Sequence, residues 1–178
     1  MDLGLRKKNV LITGSTNGLG KAIAKIMAEE GANVIISGRN EIAAKQLAEE
    51  IERTNQVQAI PIIADLSQQN AAEQLFEMSL EAMGHLDILV NNAGIWPTAY
   101  VRDMEKNEFE RTIYMNLEVP YLLSKRMVNH LIEREEKGKI INIVSQAAFH
   151  GSTTGHAHYA ASKGGLVTFM ISLAREVA

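Results

Sequence analysis

Short apolar runs alternate with longer amphipathic stretches along the whole chain. Runs such as 10–12, Val-Leu-Ile, and 88–90, Ile-Leu-Val, are short and aliphatic, which is typical of buried parallel strands. The runs predict strands at residues 9–13, 33–37, 58–64, 86–91 and 139–144. The stretches between them carry apolar residues at helical spacing. They predict helices at residues 41–53, 70–83, 106–116, 120–135 and 158–177.

A further helix is predicted between the first two strands, because Leu19, Ile23, Ile26 and Met27 lie on one helical face. Gly31 is expected to end that helix in a left-handed conformation. The alternation of strands and helices predicts the α/β class, with a Rossmann-type, doubly wound parallel sheet in three α/β/α layers and right-handed crossovers. Such a sheet binds ligands beyond the C-terminal ends of its strands, where the strand order reverses.

The composition is that of an ordinary globular protein, with 46% hydrophobic and 22% charged residues, and residues 1–178 are expected to form one domain. Lys and Arg total 18 against 21 Asp and Glu, a net charge of -3 that predicts no binding to nucleic acid or anionic membranes. The absence of cysteine excludes disulfides and thiolate metal sites. No apolar run has the length of a bilayer span or a signal peptide. We therefore expect a cytoplasmic protein.

A glycine-rich turn follows the first predicted strand and opens the first predicted helix. Its residues are Gly14, Ser15, Thr16, Asn17, Gly18, Leu19 and Gly20. Glycines at this point let backbone amides and a helix N-terminus approach a pyrophosphate closely. The Gly-x-x-x-Gly-x-Gly spacing differs from the usual Gly-x-Gly-x-x-Gly fingerprint, and glycines also serve tight turns without a ligand. The strand-turn-helix context favours nucleotide binding.

The second and third predicted strands end at residues that suit the adenosine part of a dinucleotide. Arg39 follows Gly38 after the second strand, where an acidic residue would bind the ribose 2′-hydroxyl of NAD and an arginine would pair with a 2′-phosphate. This favours NADP, with NAD as the alternative. Asp65 and Leu66 end the third strand, where they would contact adenine. The alternative for Asp65 is a helix cap.

The fourth and fifth predicted strands bring further candidates to the same edge. Asn92, Ala93 and Gly94 form a small, flat backbone segment against which a ribose and a ring can lie, or else a plain turn. Ser145 brings a hydroxyl to the end of the fifth strand. On the last helix, Tyr159 and Lys163 are four positions apart, so an ammonium that favours the phenolate can share a face with the phenol.

Taken together, these motifs resemble the short-chain dehydrogenase/reductase family over about residues 8–177. The match consists of the glycine turn, Asp65, the Asn-Asn-Ala-Gly run, Asn116, Ser145 and the Tyr-x-x-x-Lys pair, in the family's order. Each motif is common alone, and their joint occurrence is specific.

The resemblance implies a role for each of four catalytic residues. Tyr159 would exchange a proton with the substrate oxygen, and Lys163 would favour its phenolate and bind the nicotinamide ribose. Ser145 would orient the carbonyl group, and Asn116 would hold a water that links Lys163 to solvent. Tyr159 and Lys163 are therefore expected to contact the cofactor as well.

The resemblance also implies an activity and an assembly. We expect an NADP(H)-dependent oxidoreductase for a small carbonyl or secondary alcohol, with 3-oxoacyl-thioester reduction as the commonest role in the family. The alternatives are an NAD(P)-dependent sugar or polyol dehydrogenase and a nucleotide-binding module without turnover. Helices 120–135 and 158–177 correspond to those through which members associate, which favours a homodimer or homotetramer. Members also continue into further C-terminal strands, which are missing from this sequence.

Three histidines, His150, His156 and His158, lie near the predicted tyrosine. The His-x-His pair resembles part of a metal site, but no third ligand stands at a useful spacing. We interpret these histidines as loop residues or walls of the substrate pocket, and we predict no metal.

Overall fold

Five parallel strands form one sheet in the computed structural model, which describes residues 3–178. The strands are β1 (Asn9–Ile12), β2 (Asn33–Gly38), β3 (Ala59–Ile63), β4 (Ile88–Asn91) and β5 (Lys139–Asn142). Their order across the sheet is β3-β2-β1-β4-β5. The chain therefore builds outward from β1 to β3 on one side and then returns to place β4 on the other. The order reverses between β1 and β4, which confirms the predicted doubly wound sheet.

The helices connect these strands. They are α1 (Gly18–Glu29), α2 (Glu41–Asn55), α3 (Ala71–Met83), α4 (Lys106–Ile113), α5 (Val119–Glu133), α6 (Ala147–His150) and α7 (Ala157–Glu176), with a π-helical segment at Tyr114–Glu118. Within residues 3–178, no helix is long and apolar enough to cross a membrane.

Each face of the sheet has its own apolar core. Val10 and Ile12 of β1 lie in the core that α1 and α2 cover, whereas Leu11 lies in the opposite core with Phe76 of α3 and Leu123 of α5. The alternation within one strand follows from the period of two of β-structure. Helices cover both faces of the sheet, which confirms the predicted three layers. Residues of a strand that is buried on both faces are all apolar, and this explains the continuous apolar runs in the sequence.

The C-terminal end of α1 follows the prediction from the sequence. Gly31 adopts a φ of +87°, and the amide of Ala32 donates to the carbonyl of Met27 at 3.0 Å. Glycine reaches this left-handed region at little cost, so the turn satisfies helix-end carbonyls and directs the chain into β2.

Two local features differ from the predicted elements. Residues 106–133 form one continuous helical rod, because α4 runs through the π-helical segment into α5 instead of ending near Asn116. Pro120 has no amide hydrogen to donate to Asn116, so the α-helical ladder is interrupted there and the chain takes a wider turn. In addition, residues 147–150 form the short helix α6 in a stretch expected to be loop.

Candidate functional site

A cavity of about 430 Å³ lies at the C-terminal edge of the sheet, where the strand order reverses. Its walls come from the segments that follow β1, β2, β3 and β4. Eleven of the predicted cofactor-binding residues line it: Gly14, Thr16, Asn17, Leu19, Gly20, Arg39, Asp65, Leu66, Asn92, Ala93 and Gly94. The structure thus brings together residues that the chain separates by up to 80 positions.

The glycine turn packs directly against the segment that follows β4. The side-chain amide of Asn92 donates to the carbonyls of Thr13 at 2.9 Å and Gly14 at 3.1 Å. In return, the hydroxyl of Thr13 accepts the backbone amides of Asn92 and Ala93, each at 3.0 Å. A Cβ at Gly20 would lie 2.4 Å from the carbonyl oxygen of Gly14. The side chains of Thr13 and Asn92 therefore hold the turn in place, and the space at Gly20 leaves no room for a side chain.

Ser15 has a structural role that the sequence did not indicate. Its hydroxyl donates to the carbonyl of Ile12 at 2.8 Å and accepts the amide of Ser37 at 2.9 Å. Its own amide donates to the carbonyl of Ser37 at 2.8 Å. The residue is fully buried and does not line the cavity, so it ties the end of β1 to the end of β2. Gly18, also predicted to bind cofactor, likewise lies outside the cavity wall.

The ends of β2 and β3 carry opposite charges. Asp65 accepts the hydroxyl of Ser67 at 2.8 Å and its amide at 3.1 Å. These bonds, the hydroxyl first, lower the pKa of Asp65, and the nearby Arg39 adds to the effect. Asp65 does not cap α3, since Asn70 occupies that position. Gly38 packs against the side chain of Thr16. A Cβ added at Gly38 would lie 2.8 Å from the hydroxyl oxygen of Thr16.

The helix α4 and the π-helical segment contribute two residues that sequence reasoning missed. Arg111 and Met115 line the same cavity as Arg39 and Asp65. Arg111 and Met115 are four positions apart in the sequence, so they could be expected to share one helix face. Neither strand ends nor motifs, however, indicated that this face would meet the cavity.

Asn116 is fully buried in the π-helical segment and joins three parts of the chain. Its side-chain oxygen accepts the amide of Ile95 at 2.8 Å, and its side-chain nitrogen donates to the carbonyl of Ile95 at 2.9 Å. The same nitrogen lies 3.1 Å from the hydroxyl of Ser162 on α7. Asn116 therefore fixes the segment after Gly94 against the helix that carries Tyr159.

Lys163 enters the interior from α7 and is only 5% exposed. Its Nζ donates to the carbonyl of Ile143 at 2.8 Å, and burial lowers its pKa. A Cβ at Gly94 would lie 3.6 Å from this Nζ and 2.9 Å from Oδ1 of Asn116. The predicted Asn116 and Lys163 thus both lie beside Gly94 of the cavity wall, although neither lines the cavity itself.

Tyr159 and Ser145 do not line the cavity. Tyr159 is half-buried one helical turn before Lys163, and its ring meets Trp96 edge-to-face with centroids 6.3 Å apart. Ser145 is half-buried between β5 and α6, and its hydroxyl accepts the amide of Ala147 at 3.2 Å. That bond explains why a short helix begins here, since the serine satisfies one of its first amides.

Two of the three histidines near the tyrosine, His156 and His158, are buried, whereas His150 is exposed at the end of α6. His156 is stacked on Trp96 at 4.5 Å and 18°, and its ring nitrogens lie 3.1 Å from the hydroxyl of Thr98 and 3.2 Å from that of Thr153. His158 is fully buried, and neither ring nitrogen has a hydrogen-bond partner within residues 3–178. In the same part of the chain, no three His, Asp or Glu side chains converge as metal ligands.

The fold and the residues gathered at its sheet edge define a family. The model of the short chain dehydrogenase family matches residues 8–178, and the chain belongs to that family.

Individual relatives agree with this assignment. An oxidoreductase of Bacillus subtilis (strain 168), YvaG, whose function is not characterised, is 39% identical over 180 residues that cover 100% of this chain and 64% of its own length. The 3-oxoacyl-(acyl-carrier-protein) reductase of Aquifex aeolicus (strain VF5) is 35% identical over 178 residues, with 100% and 71% covered. The chain thus spans about two thirds of the length of these relatives.

A solved structure shows the same architecture. The crystal structure described as a short-chain alcohol dehydrogenase from Sinorhizobium meliloti 1021 superposes with a TM-score of 0.89 at 26% identity. The match covers 96% of this chain and 67% of that one.

Proposed function

We propose that the protein is an NADP(H)-dependent oxidoreductase that interconverts a carbonyl compound and a secondary alcohol. The observation that carries the proposal is the position of Lys163, a buried ammonium with one hydrogen-bond acceptor among residues 3–178, beside Gly94 of the cavity. Burying an ammonium is costly unless it has partners. Ribose hydroxyls placed against Gly94 would supply the missing acceptors.

The cavity suits a dinucleotide. Gly14, Gly20 and Gly94 lie on its wall, where the absence of side chains lets neighbouring segments of the protein pack closely. Leu19 and Gly20, in the first turn of α1, lie on the same wall, and a helix N-terminus favours a phosphate group. Arg39 lies on the cavity wall and makes no ion pair within the described residues 3–178. Its guanidinium is free to pair with a 2′-phosphate, which favours NADP over NAD.

The proposed chemistry divides between cofactor and protein. A bound nicotinamide dinucleotide supplies or accepts the hydride. Tyr159 exchanges the proton at the substrate oxygen, and Lys163 stabilises the anionic form of the phenol. Ser145 donates a hydrogen bond to the same oxygen and fixes its position. Asn116 keeps the segment after Gly94 and the helix α7 in register, which holds the reacting groups in place.

The printed names of relatives favour one substrate class. Two of them, from Aquifex aeolicus and Chlamydia pneumoniae, are 3-oxoacyl-(acyl-carrier-protein) reductases. A 3-oxoacyl thioester is therefore a first substrate to assay, and sugars and polyols follow. For assembly, we propose a homodimer or homotetramer through α5 and α7, because the apolar side chains of Tyr121, Ile132 and Ile171 on these helices are exposed.

A substitution at Tyr159 tests the proposal. The protein is mixed with NADPH and a panel of ketones and 3-oxoacyl thioesters, and NADPH oxidation is followed by absorbance. We expect Tyr159→Phe to lower kcat by about a hundredfold or more, because it removes the proton donor. Calorimetry should show that NADPH affinity changes by less than about threefold.

Tyr100→Phe is the matched control, because it removes the same hydroxyl from an exposed tyrosine outside the proposed subunit contacts. It should leave kcat unchanged. Retained turnover in Tyr159→Phe would contradict the assigned proton donor. If NADPH binds tightly but no compound in the panel is reduced, the nucleotide-binding module becomes the better description.

A further inference from the structure

Trp96 presents a large uncovered aromatic surface beside the ring of Tyr159. The residue is 61% exposed, although tryptophan is a large, mainly apolar side chain that is highly buried on average. One face of the indole is stacked on His156, and its edge-to-face partner is Tyr159 at 6.3 Å. Within residues 3–178, the indole meets no protein ring other than those of His156 and Tyr159, and most of its surface stays open to solvent.

The ring of His156, on which the indole stacks, is itself held by neighbouring side chains. His156 is only 7% exposed, and hydroxyls of Thr98 and Thr153 lie within hydrogen-bond distance of its two nitrogens. The loop that carries Trp96 and Thr98 is also joined to the loop that carries Thr153 and His156 through the backbone, since the amide of Ala99 donates to the carbonyl of Gly155 at 2.8 Å. Trp96 is therefore a preorganised surface, and ordering it costs little when a ligand binds.

We propose that Trp96 is a specificity-determining residue that selects substrates with a planar aromatic ring attached to the reacting carbon. The inference rests on the proposed function, because Tyr159 is the group that protonates the substrate oxygen. Aromatic rings stack in offset or edge-to-face geometry at centroid distances of about 4.5–7 Å. Trp96 already meets Tyr159 within that range, so an aryl group beside the carbonyl falls within reach of the indole.

In the proposed reaction, the cofactor provides the hydride and Tyr159 provides the proton. Hydride from NADPH bonds to the carbonyl carbon, the carbon-oxygen π bond breaks, and Tyr159 protonates the oxygen. The products are NADP+, an aryl secondary alcohol and a phenolate that solvent reprotonates. A saturated ring of equal size has no π face, so it loses the stacking part of the interaction while keeping its apolar area.

Acetophenone and cyclohexyl methyl ketone form a matched pair of substrates for the test, since they share one carbon skeleton and differ in the aromaticity of the ring. The aryl ring also conjugates with the carbonyl of acetophenone, an effect that the comparison with Trp96→Ala cancels because it belongs to the substrate alone. We expect the protein to prefer acetophenone in kcat/KM by about three- to tenfold, the range that one aromatic pair provides. Trp96→Ala should remove this preference mainly through KM, and Trp96→Phe should retain most of it. Tyr100→Ala, which alters an exposed aromatic residue of the same loop, should leave the preference unchanged.

Binding is measured separately, because Trp96 is the single tryptophan of the chain. Its emission is recorded while the product alcohols, methyl phenyl carbinol and cyclohexyl methyl carbinol, are added in the presence of NADP+. We expect a saturable change with the aromatic alcohol and a weaker or absent one with the saturated alcohol.

The two measurements separate the inference from the function on which it rests. A selective change in emission without turnover supports the aromatic surface and contradicts the proposed reaction. Turnover of both ketones at equal kcat/KM, or equal losses for both in Trp96→Ala, overturns the inference and leaves the reductase intact. Absence of any emission change with either alcohol also overturns it. Stronger binding of a polyol than of either carbinol would assign the indole to sugars instead.

Discussion

Gly20→Ala tests whether the glycine turn is packed as tightly as the structure requires. The added Cβ would lie 2.4 Å from the carbonyl oxygen of Gly14, 2.5 Å from Nδ2 of Asn92 and 2.9 Å from Cα of Ser15. All three are closer than atoms in van der Waals contact, and two belong to the backbone. The methyl group therefore enters only if the start of α1 moves away from both Gly14 and Asn92.

The expected cost follows from two opposing effects. Forcing a methyl group into a packed region costs about 1–3 kcal/mol. Gly20 is the third residue of α1, where alanine gains up to about 1 kcal/mol over glycine from helix propensity. The clash is the larger effect, so we expect a net loss of about 1–2 kcal/mol. For a chain of this size, Tm should fall by roughly 2–8 °C.

Urea unfolding followed by circular dichroism measures the loss, and NADPH affinity should weaken in parallel because the turn lines the cavity. Gly164→Ala in α7 is the matched control. There the nearest atom to an added Cβ is the carbonyl oxygen of Ala148 at 3.4 Å, which is ordinary contact, so the variant should be as stable as the original or up to about 1 kcal/mol more stable. If Gly20→Ala equals or exceeds the stability of the original chain, the packing argument is refuted.

Two further predictions concern charge. Arg39→Asp should lower the affinity ratio of NADPH to NADH by at least about tenfold, whereas Arg53→Asp at the end of α2 should leave it unaltered; equal ratios would remove Arg39 from the phosphate site. Burial lowers the pKa of His158 in the folded protein. Its contribution to the free energy of unfolding is therefore highest above about pH 6.5, where the ring is neutral in both states, and it falls as the pH drops through the folded pKa. His158→Leu should flatten the unfolding free energy between about pH 7 and 5, and an undiminished slope would contradict this.

The sheet was predictable because its signals are local. A buried parallel strand must be apolar on both faces, so β1, β2 and β4 stand out in the sequence, and all five predicted strands are confirmed within one or two residues of their bounds. The glycine turn was visible for a similar reason, since Gly14 and Gly20 serve a close approach that other residues would block. Eleven predicted cofactor positions consequently line one cavity.

The rest of the site depends on contacts between distant segments. Nothing near Trp96 in the sequence indicates that it stacks on His156, because the pairing is made by two loops that meet only in the folded chain. Ser15 likewise looked like part of the phosphate loop, and its partners in β1 and β2 became visible only in three dimensions. Pro120 signalled an interruption but not that a π-helical segment would bridge it.

Side chains in the site form hydrogen bonds with the backbone of neighbouring segments. These bonds couple the stability of the fold to the proposed binding of a dinucleotide. Thr13 and Asn92 lock the turn after β1 to the segment after β4, and Asn116 locks the next part of that segment to α7. Removing one partner leaves a buried amide or carbonyl unsatisfied, which costs about 1–3 kcal/mol. The same change releases the segment that carries Gly94. Substitutions in this network should therefore weaken dinucleotide binding and folding together, whereas Tyr159→Phe separates the two because its hydroxyl holds no backbone group within residues 3–178.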